Sequence, residues 1–258
     1  MKFLVAIFMV TTMVGSAFAG EFSNVEYHKI MKNKDYNALI AYMENATFSS
    51  KKENDFYAFC LAKIIAGYKK GEITQATLAE KCLTLPDGFT NDKQLALNGK
   101  LFLMSHAAWW CGINNFLNDT FKKLYESNSK YFDNLDSVTL NACLENGFYK
   151  LKEYDKCVEF ALKSKRYFQA FYVSAFFNKS TIDTTLEALI NNPDTVTKPV
   201  ILERIIKGIG QLSNPKYDEK VKTLLIVLNR NCYPKLQYGE DWKKVIVQLQ
   251  LVMKSYGI

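Results

Sequence analysis

His106 and Cys111 are the residues whose types and spacing could do chemistry, because a histidine beside a cysteine can take its proton and create a nucleophilic thiolate. On a helix, however, five residues correspond to a rotation of about 140°, so the two side chains point in different directions. The sequence therefore favours a buried cysteine and a hydrogen-bonded histidine at these positions over a catalytic pair.

Other motifs of catalysis and metal binding are missing from the sequence. It contains no Gly-x-Ser-x-Gly elbow, phosphate-binding loop, dinucleotide fingerprint, His-Glu-x-x-His or Cys-x-x-Cys. Its 2 histidines leave little room for a metal centre built on imidazole. Acid pairs such as Glu44/Glu53 and Asp133/Asp136 are typical of charges at helix ends. We therefore predict no catalytic residue, no metal site and no cofactor.

Four aromatic residues are the candidates for binding a partner. Trp109 and Trp110 are neighbours on a predicted helix and point about 100° apart, so they cannot both face one core, and an exposed indole could bind a partner. Tyr167 and Tyr172 belong to an aromatic-rich segment, and they would line a concave groove if helical hairpins stack. Packing in the core is the alternative role for all four.

The 6 cysteines allow disulfides if the chain is exported. In an antiparallel helix pair, residues equidistant from the turn can lie opposite each other. Cys60 and Cys82 are each 11 residues from one predicted turn, and Cys143 and Cys157 are each 7 residues from another. We therefore predict Cys60–Cys82 and Cys143–Cys157 as candidate disulfides, and the alternative is that these cysteines are small buried hydrophobic side chains.

The elements that must position these residues are helices. Hydrophobic residues make up 48% of the chain, which excludes wholesale disorder, and 12 Gly and 5 Pro are fewer than strand-rich folds usually need. Apolar residues recur at helical spacing, as at Phe56, Phe59, Cys60 and Ile64. Short polar breaks divide the pattern into antiparallel helix pairs that begin near residues 24, 53, 92, 137, 166 and 199. An all-α fold follows.

One segment, Ala142–Lys163, resembles a tetratricopeptide repeat. Tyr149 and Leu151 match the end of the repeat's first helix, residues 153–155 match its turn, and Cys157 occupies the small position of its second helix. Two helices joined by a tight turn approach closely only where the residues that face each other have small side chains.

The resemblance has two departures and several implications. Glu145 stands where the family usually has Gly or Ala, and Lys152 replaces the usual Gly of the turn. The family implies a right-handed superhelix of antiparallel helix hairpins, a solenoid whose concave face holds a peptide or protein, and it implies no catalytic residues. An irregular helical bundle is the alternative architecture.

The first 19 residues have the pattern of a secretory signal peptide. Lys2 supplies the positive start, residues 3–14 form a short apolar core, and Ala17-Phe18-Ala19 fits a cleavage site before Gly20. An uncleaved anchor is the alternative, but the apolar run is shorter than the roughly 20 residues that a membrane span needs. We therefore predict residues 1–19 as signal peptide, residues 20–258 as a single α-helical repeat-like domain, and a periplasmic or extracellular location without a membrane span after cleavage.

The formal net charge is +7 for the chain and +6 once Lys2 is removed with the leader. The lysines are scattered, and only Arg166, Arg204 and Arg230 are arginines, whereas proteins that read nucleic acid favour Arg. We therefore predict no nucleic-acid partner and interpret the lysines as solvated surface. An acidic partner or an anionic surface is the alternative.

These observations predict an exported, non-enzymatic scaffold that binds a peptide or protein partner. Two other functions remain open at this point. One is a secreted helical enzyme, toxin or effector whose site is assembled from distant residues. The other is a structural envelope subunit.

Overall fold

The computed structural model describes residues 20–113 and 117–258. Within these residues the chain is mostly helical, with thirteen α-helices and two strands of two residues each, so the predicted all-α class is confirmed. The predicted signal peptide, residues 1–19, lies outside the described residues.

A helix begins within one residue of each of the six predicted hairpin starts. The helices are α1 Asn24–Lys32, α2 Tyr36–Asn45, α3 Glu53–Lys70, α4 Gln75–Thr84, α5 Lys93–Cys111, α6 Asn118–Phe132, α7 Val138–Leu151, α8 Tyr154–Lys163, α9 Tyr167–Phe177, α10 Ile182–Asn191, α11 Pro199–Ile209, α12 Asp218–Cys232 and α13 Glu240–Ser255.

The helices form two compact units. Unit 1 ends at Phe121, and unit 2 comprises Lys122–Ile258. The single repeat-like domain over residues 20–258 stays a prediction.

Unit 1 is built around α3, which packs against α1, α2, α4 and α5. Strands β1 (Gly20–Glu21) and β2 (Ala46–Thr47) pair in parallel, and the amide of Phe22 extends the pairing by donating to the carbonyl of Thr47 at 2.7 Å. The largest fully buried side chains of this unit are Leu39, Met43, Phe56, Tyr57, Phe59, Ile64, Ile65 and Leu78.

One hydrophobic cluster of unit 2 extends from Phe171 on α9 to Leu249 on α13. Helices α9 and α11 approach closely at Gly208, where a Cβ atom would lie only 2.7 Å from Cε1 of Phe171. A larger residue at this position would force the Phe171 ring or one of the two helices to move.

Local signals define several helix ends as the sequence predicts. Thr74 and Thr77 form a capping box at the start of α4, and the hydroxyl of Ser137 accepts from the amide of Leu140 at the start of α7. Gly71 ends α3 with φ of 85°, in the left-handed region that glycine adopts most easily.

Three lysines adopt this left-handed conformation in turns between helices. Lys34, Lys152 and Lys165 have φ of 53°, 60° and 58°. Each is the third residue of a Lys-x-Lys-z-Tyr segment, and the tyrosine of each segment is the first residue of the next helix. The segments, at residues 32–36, 150–154 and 163–167, therefore build the same kind of turn three times.

Lys152→Gly should stabilise the protein by about 1 kcal/mol. The substitution removes the roughly 1–2 kcal/mol that a side chain costs in the left-handed region, and the greater conformational freedom of glycine in the unfolded chain cancels part of this gain. The matched control, Lys150→Gly within α7, should instead lose up to about 1 kcal/mol of stability. Urea unfolding of both variants measures the difference. Equal destabilisation by the two substitutions would contradict this account of the turn.

Candidate functional site

An open groove in unit 1 has the shape of a binding site. Three helices, α1, α3 and α5, enclose a volume of about 570 Å³, which lies within the size range of ligand sites. We call it the α1–α3–α5 groove. It is lined by Asn24, Tyr27, His28, Met31, Lys32, Asn54, Tyr57, Ala58, Leu61, Phe102, His106 and Trp110.

The floor of the groove is apolar and buried, whereas its walls are half-exposed aromatic rings. Tyr27 and Tyr57 are only 4% and 2% exposed, and Phe102 and Trp110 are half-buried. Aromatic rings that keep one face accessible beside buried side chains are suited to contact with an apolar side chain of a partner.

A stack of three rings crosses from α3 to α5. The ring of Tyr57 lies on Phe102 with centroids 5.2 Å apart, and Phe102 lies on His106 with centroids 4.2 Å apart. Phe102 and His106 are four residues apart, so the helix itself places their rings on one face. Nδ1 of His106 also lies 3.0 Å from the carbonyl oxygen of Phe102, which holds the imidazole against the helix.

Polar groups gather at the edge of the groove that α1 and the start of α3 form. Asn24 donates from Nδ2 to the Asp55 carboxylate at 3.3 Å, while its Oδ1 is buried and accepts no hydrogen bond within the described part of the chain. His28, Lys32 and Asn54 are exposed on the same edge.

The structure places the two predicted tryptophans differently. Trp109 is 68% exposed and lies outside the groove lining, whereas Trp110 is half-buried and belongs to it. Their rings meet edge to face with centroids 4.5 Å apart. One of the two indoles is therefore placed to contact a ligand in the groove, and the other faces solvent.

The two predicted tyrosines lie on α9 in unit 2. Tyr167 is half-buried and packs against the hydrophobic core of that unit. Tyr172 is half-buried as well, and its ring contacts Phe176 with centroids 4.6 Å apart. Their role in binding stays a prediction.

All six cysteines are free thiols and all are buried, so neither Cys60–Cys82 nor Cys143–Cys157 is joined in this structure. Burial raises the pKa of Cys60 and Cys157 to about 12 and that of Cys111 to about 11. A buried thiol with a raised pKa carries almost no thiolate at neutral pH and is a poor nucleophile. Cys111 therefore behaves as a small hydrophobic residue here.

Glu145 is a buried carboxylate in unit 2 that sequence reasoning noted only as a departure from the repeat pattern. It is 1% exposed on α7, and its Oε2 lies 2.7 Å from Nη1 of Arg166, which precedes α9. The two groups are close, but neither carboxylate oxygen accepts a well-aligned hydrogen bond within the described residues. Burial therefore dominates and raises the pKa of Glu145 from 4.5 to about 7, although the guanidinium opposes this change.

His28 and Lys32 are other lining residues that sequence reasoning missed. His28 and His106 are far apart in the sequence, and no local motif connects them. Among the described residues, no group of three or more His, Cys, Asp or Glu is arranged to hold a metal ion. None of the described helices is long and apolar enough to cross a membrane.

Comparisons with known proteins do not assign the chain to a family. No protein-family model matches it, and neither the curated proteins nor the solved structures yield a match. The tetratricopeptide resemblance therefore rests on the residues of this chain alone.

Glu145→Gln should change how the stability of the protein depends on pH. Because the folded state holds the Glu145 proton up to about pH 7 and the unfolded state releases it near pH 4.5, the wild type loses stability as pH rises through this window. The variant has no proton to lose there, so its advantage over the wild type should grow from pH 4.5 to 7 and level off above.

The control for this experiment is Glu159→Gln, because Glu159 is exposed and pairs with Lys163 four residues later. Urea unfolding of the three proteins at pH 4.5, 6 and 8 measures the effect. A difference between wild type and Glu145→Gln that is constant across this range would show that burial of Glu145 does not hold its proton.

Proposed function

We propose that this chain is an exported, non-enzymatic scaffold that holds a peptide or protein segment in the α1–α3–α5 groove. The single observation that carries the proposal is the open groove with a buried aromatic floor and half-exposed aromatic walls. Such a surface offers apolar contact area to an extended chain.

We further propose that the helix pairs within each unit stack in the manner of a right-handed tetratricopeptide-like superhelix. The support comes from the hairpin α7–α8, which coincides with the resembling segment 142–163, and from the left-handed lysine that recurs in its turn. Repeated use of one turn is what a series of similar hairpins requires.

An enzyme is the weaker alternative. Its best supporting group is Glu145, because a raised pKa is typical of acid–base residues. At 1% exposure, however, this carboxylate is inaccessible to a substrate, and it lies against Arg166. The pair is better explained as an ionic contact that joins α7 to the start of α9. A structural envelope subunit has no specific contact in its favour.

Residues 20–258 should enrich binders from a random display library of peptides about twelve residues long. Helix α1 is nine residues long and extends about 13 Å, so about four extended residues can run along it and leave flanks on both sides. Trp110→Ala should weaken the enriched peptides about tenfold, because it removes an aromatic wall.

Phe89→Ala is the matched control, since Phe89 is an exposed aromatic residue of the same unit outside the groove lining. Fluorescence anisotropy gives the dissociation constants, and circular dichroism checks that the helices persist. If the enriched peptides bind Trp110→Ala as tightly as the wild type, the groove is not their binding site.

Export predicts that the mature protein starts at Gly20. Expression of the full chain with its native leader should yield, in the periplasm or the medium, a species whose N-terminal sequence is Gly-Glu-Phe-Ser. N-terminal sequencing or intact-mass analysis measures this. Retention of Met1 in the recovered protein would contradict cleavage, and Ala17→Asp with Ala19→Asp should block it.

A further inference from the structure

Both histidines of the chain lie in the α1–α3–α5 groove, together with one lysine. His28 and Lys32 are four residues apart on α1, so they share a face, and His106 enters from α5. The lining contains no Asp or Glu. The charged and titratable side chains that line this groove are therefore all basic apart from its tyrosines.

Lys32 carries a charge that no carboxylate of the described residues pairs with. It is exposed, and no carboxylate of the described residues lies within 4 Å of its amine. Lys29, one turn earlier and outside the lining, does have a partner, because its amine lies 3.7 Å from the carboxylate of Glu26. The groove thus contains an available positive charge at one edge.

Two carboxylates on either side of the lining residue Asn54 contact other groups. Oε2 of Glu53, at the start of α3, accepts from the hydroxyl of Tyr57 at 3.4 Å. The two oxygens of Asp55 accept from Asn24 and from Ser50.

Two further groups leave the charge of the groove unchanged. Burial raises the pKa of Tyr27 to about 12, so that ring is neutral at physiological pH. On α5, Lys100 lies outside the lining and pairs with Asp87. Within the described residues, the charge of Lys32 is therefore left for a ligand to neutralise.

We propose that the groove takes an acidic peptide segment, with an aromatic or aliphatic side chain against the stacked rings of Tyr57 and Phe102 and a carboxylate beside Lys32 and His28. The inference rests on the proposed function and adds the chemistry of the partner to it. Apolar anchoring supplies most of the contact area, and the basic edge selects among segments that could all bury an anchor.

The test uses the peptides enriched by residues 20–258, each resynthesised with its acidic residues kept, changed to Gln or changed to Lys. The acidic form should bind about tenfold more tightly than the Lys form. Lys32→Glu should reverse that order, and Lys29→Glu, on the same helix outside the groove, should preserve it.

The outcomes separate this inference from the proposed function. Peptides whose binding depends on Trp110 could be neutral or basic, or could bind Lys32→Glu as tightly as the wild type. Either result would contradict the acidic partner but would still support a peptide-binding scaffold. Absence of any Trp110-dependent peptide would overturn both. The expected result is a set of peptides whose acidic forms bind the wild type more tightly than their Lys forms and bind Lys32→Glu less tightly.

Discussion

The burial of α3 is the constraint on which the rest of unit 1 depends. Between Phe56 and Ala66 this helix is apolar on nearly every side, and all but one of these residues are buried. A helix of this kind is stable in water only when other helices surround it. Helices α1, α2, α4 and α5 supply that cover.

Lys63 is the one residue between Phe56 and Ala66 that is only partly buried. Lys63 is half-buried, and its amine reaches the carbonyl oxygen of Met43. Burial lowers the pKa of Lys63, which Glu72 partly offsets. A long side chain can bury its carbon stem beside the core while its amine finds an acceptor, so one lysine is tolerated where a shorter charged residue would not be.

The groove follows from the same packing. Helices α1 and α5 both cover α3, and the side chains between them leave an open volume above Tyr57 and Leu61. The floor is inaccessible to solvent because α3 must be buried. The edge is polar because α1 is a short surface helix with exposed His28 and Lys32. One arrangement of helices thus accounts for both the apolar and the basic parts of the proposed binding surface.

Local information in the sequence determined the all-α class, the starts of the helix pairs and several caps. Thr74, Ser137 and Pro199 act within one turn of their own positions, so their roles are readable without a fold. The different exposure of Trp109 and Trp110 follows from helix geometry in the same way, because neighbouring residues on a helix point about 100° apart. The recurrent Lys-x-Lys-z-Tyr turn was also readable, although only its common backbone conformation makes the repetition clear.

The tertiary structure alone decided which distant residues meet. His28 and His106 line one groove although 78 positions separate them, and Glu145 lies beside Arg166 across two turns. Helical periodicity tells which face of a helix is buried, but not which other helix covers it. That choice depends on the summed packing of many side chains, so the groove and the contact of buried Glu145 with half-buried Arg166 form only when the helices are assembled.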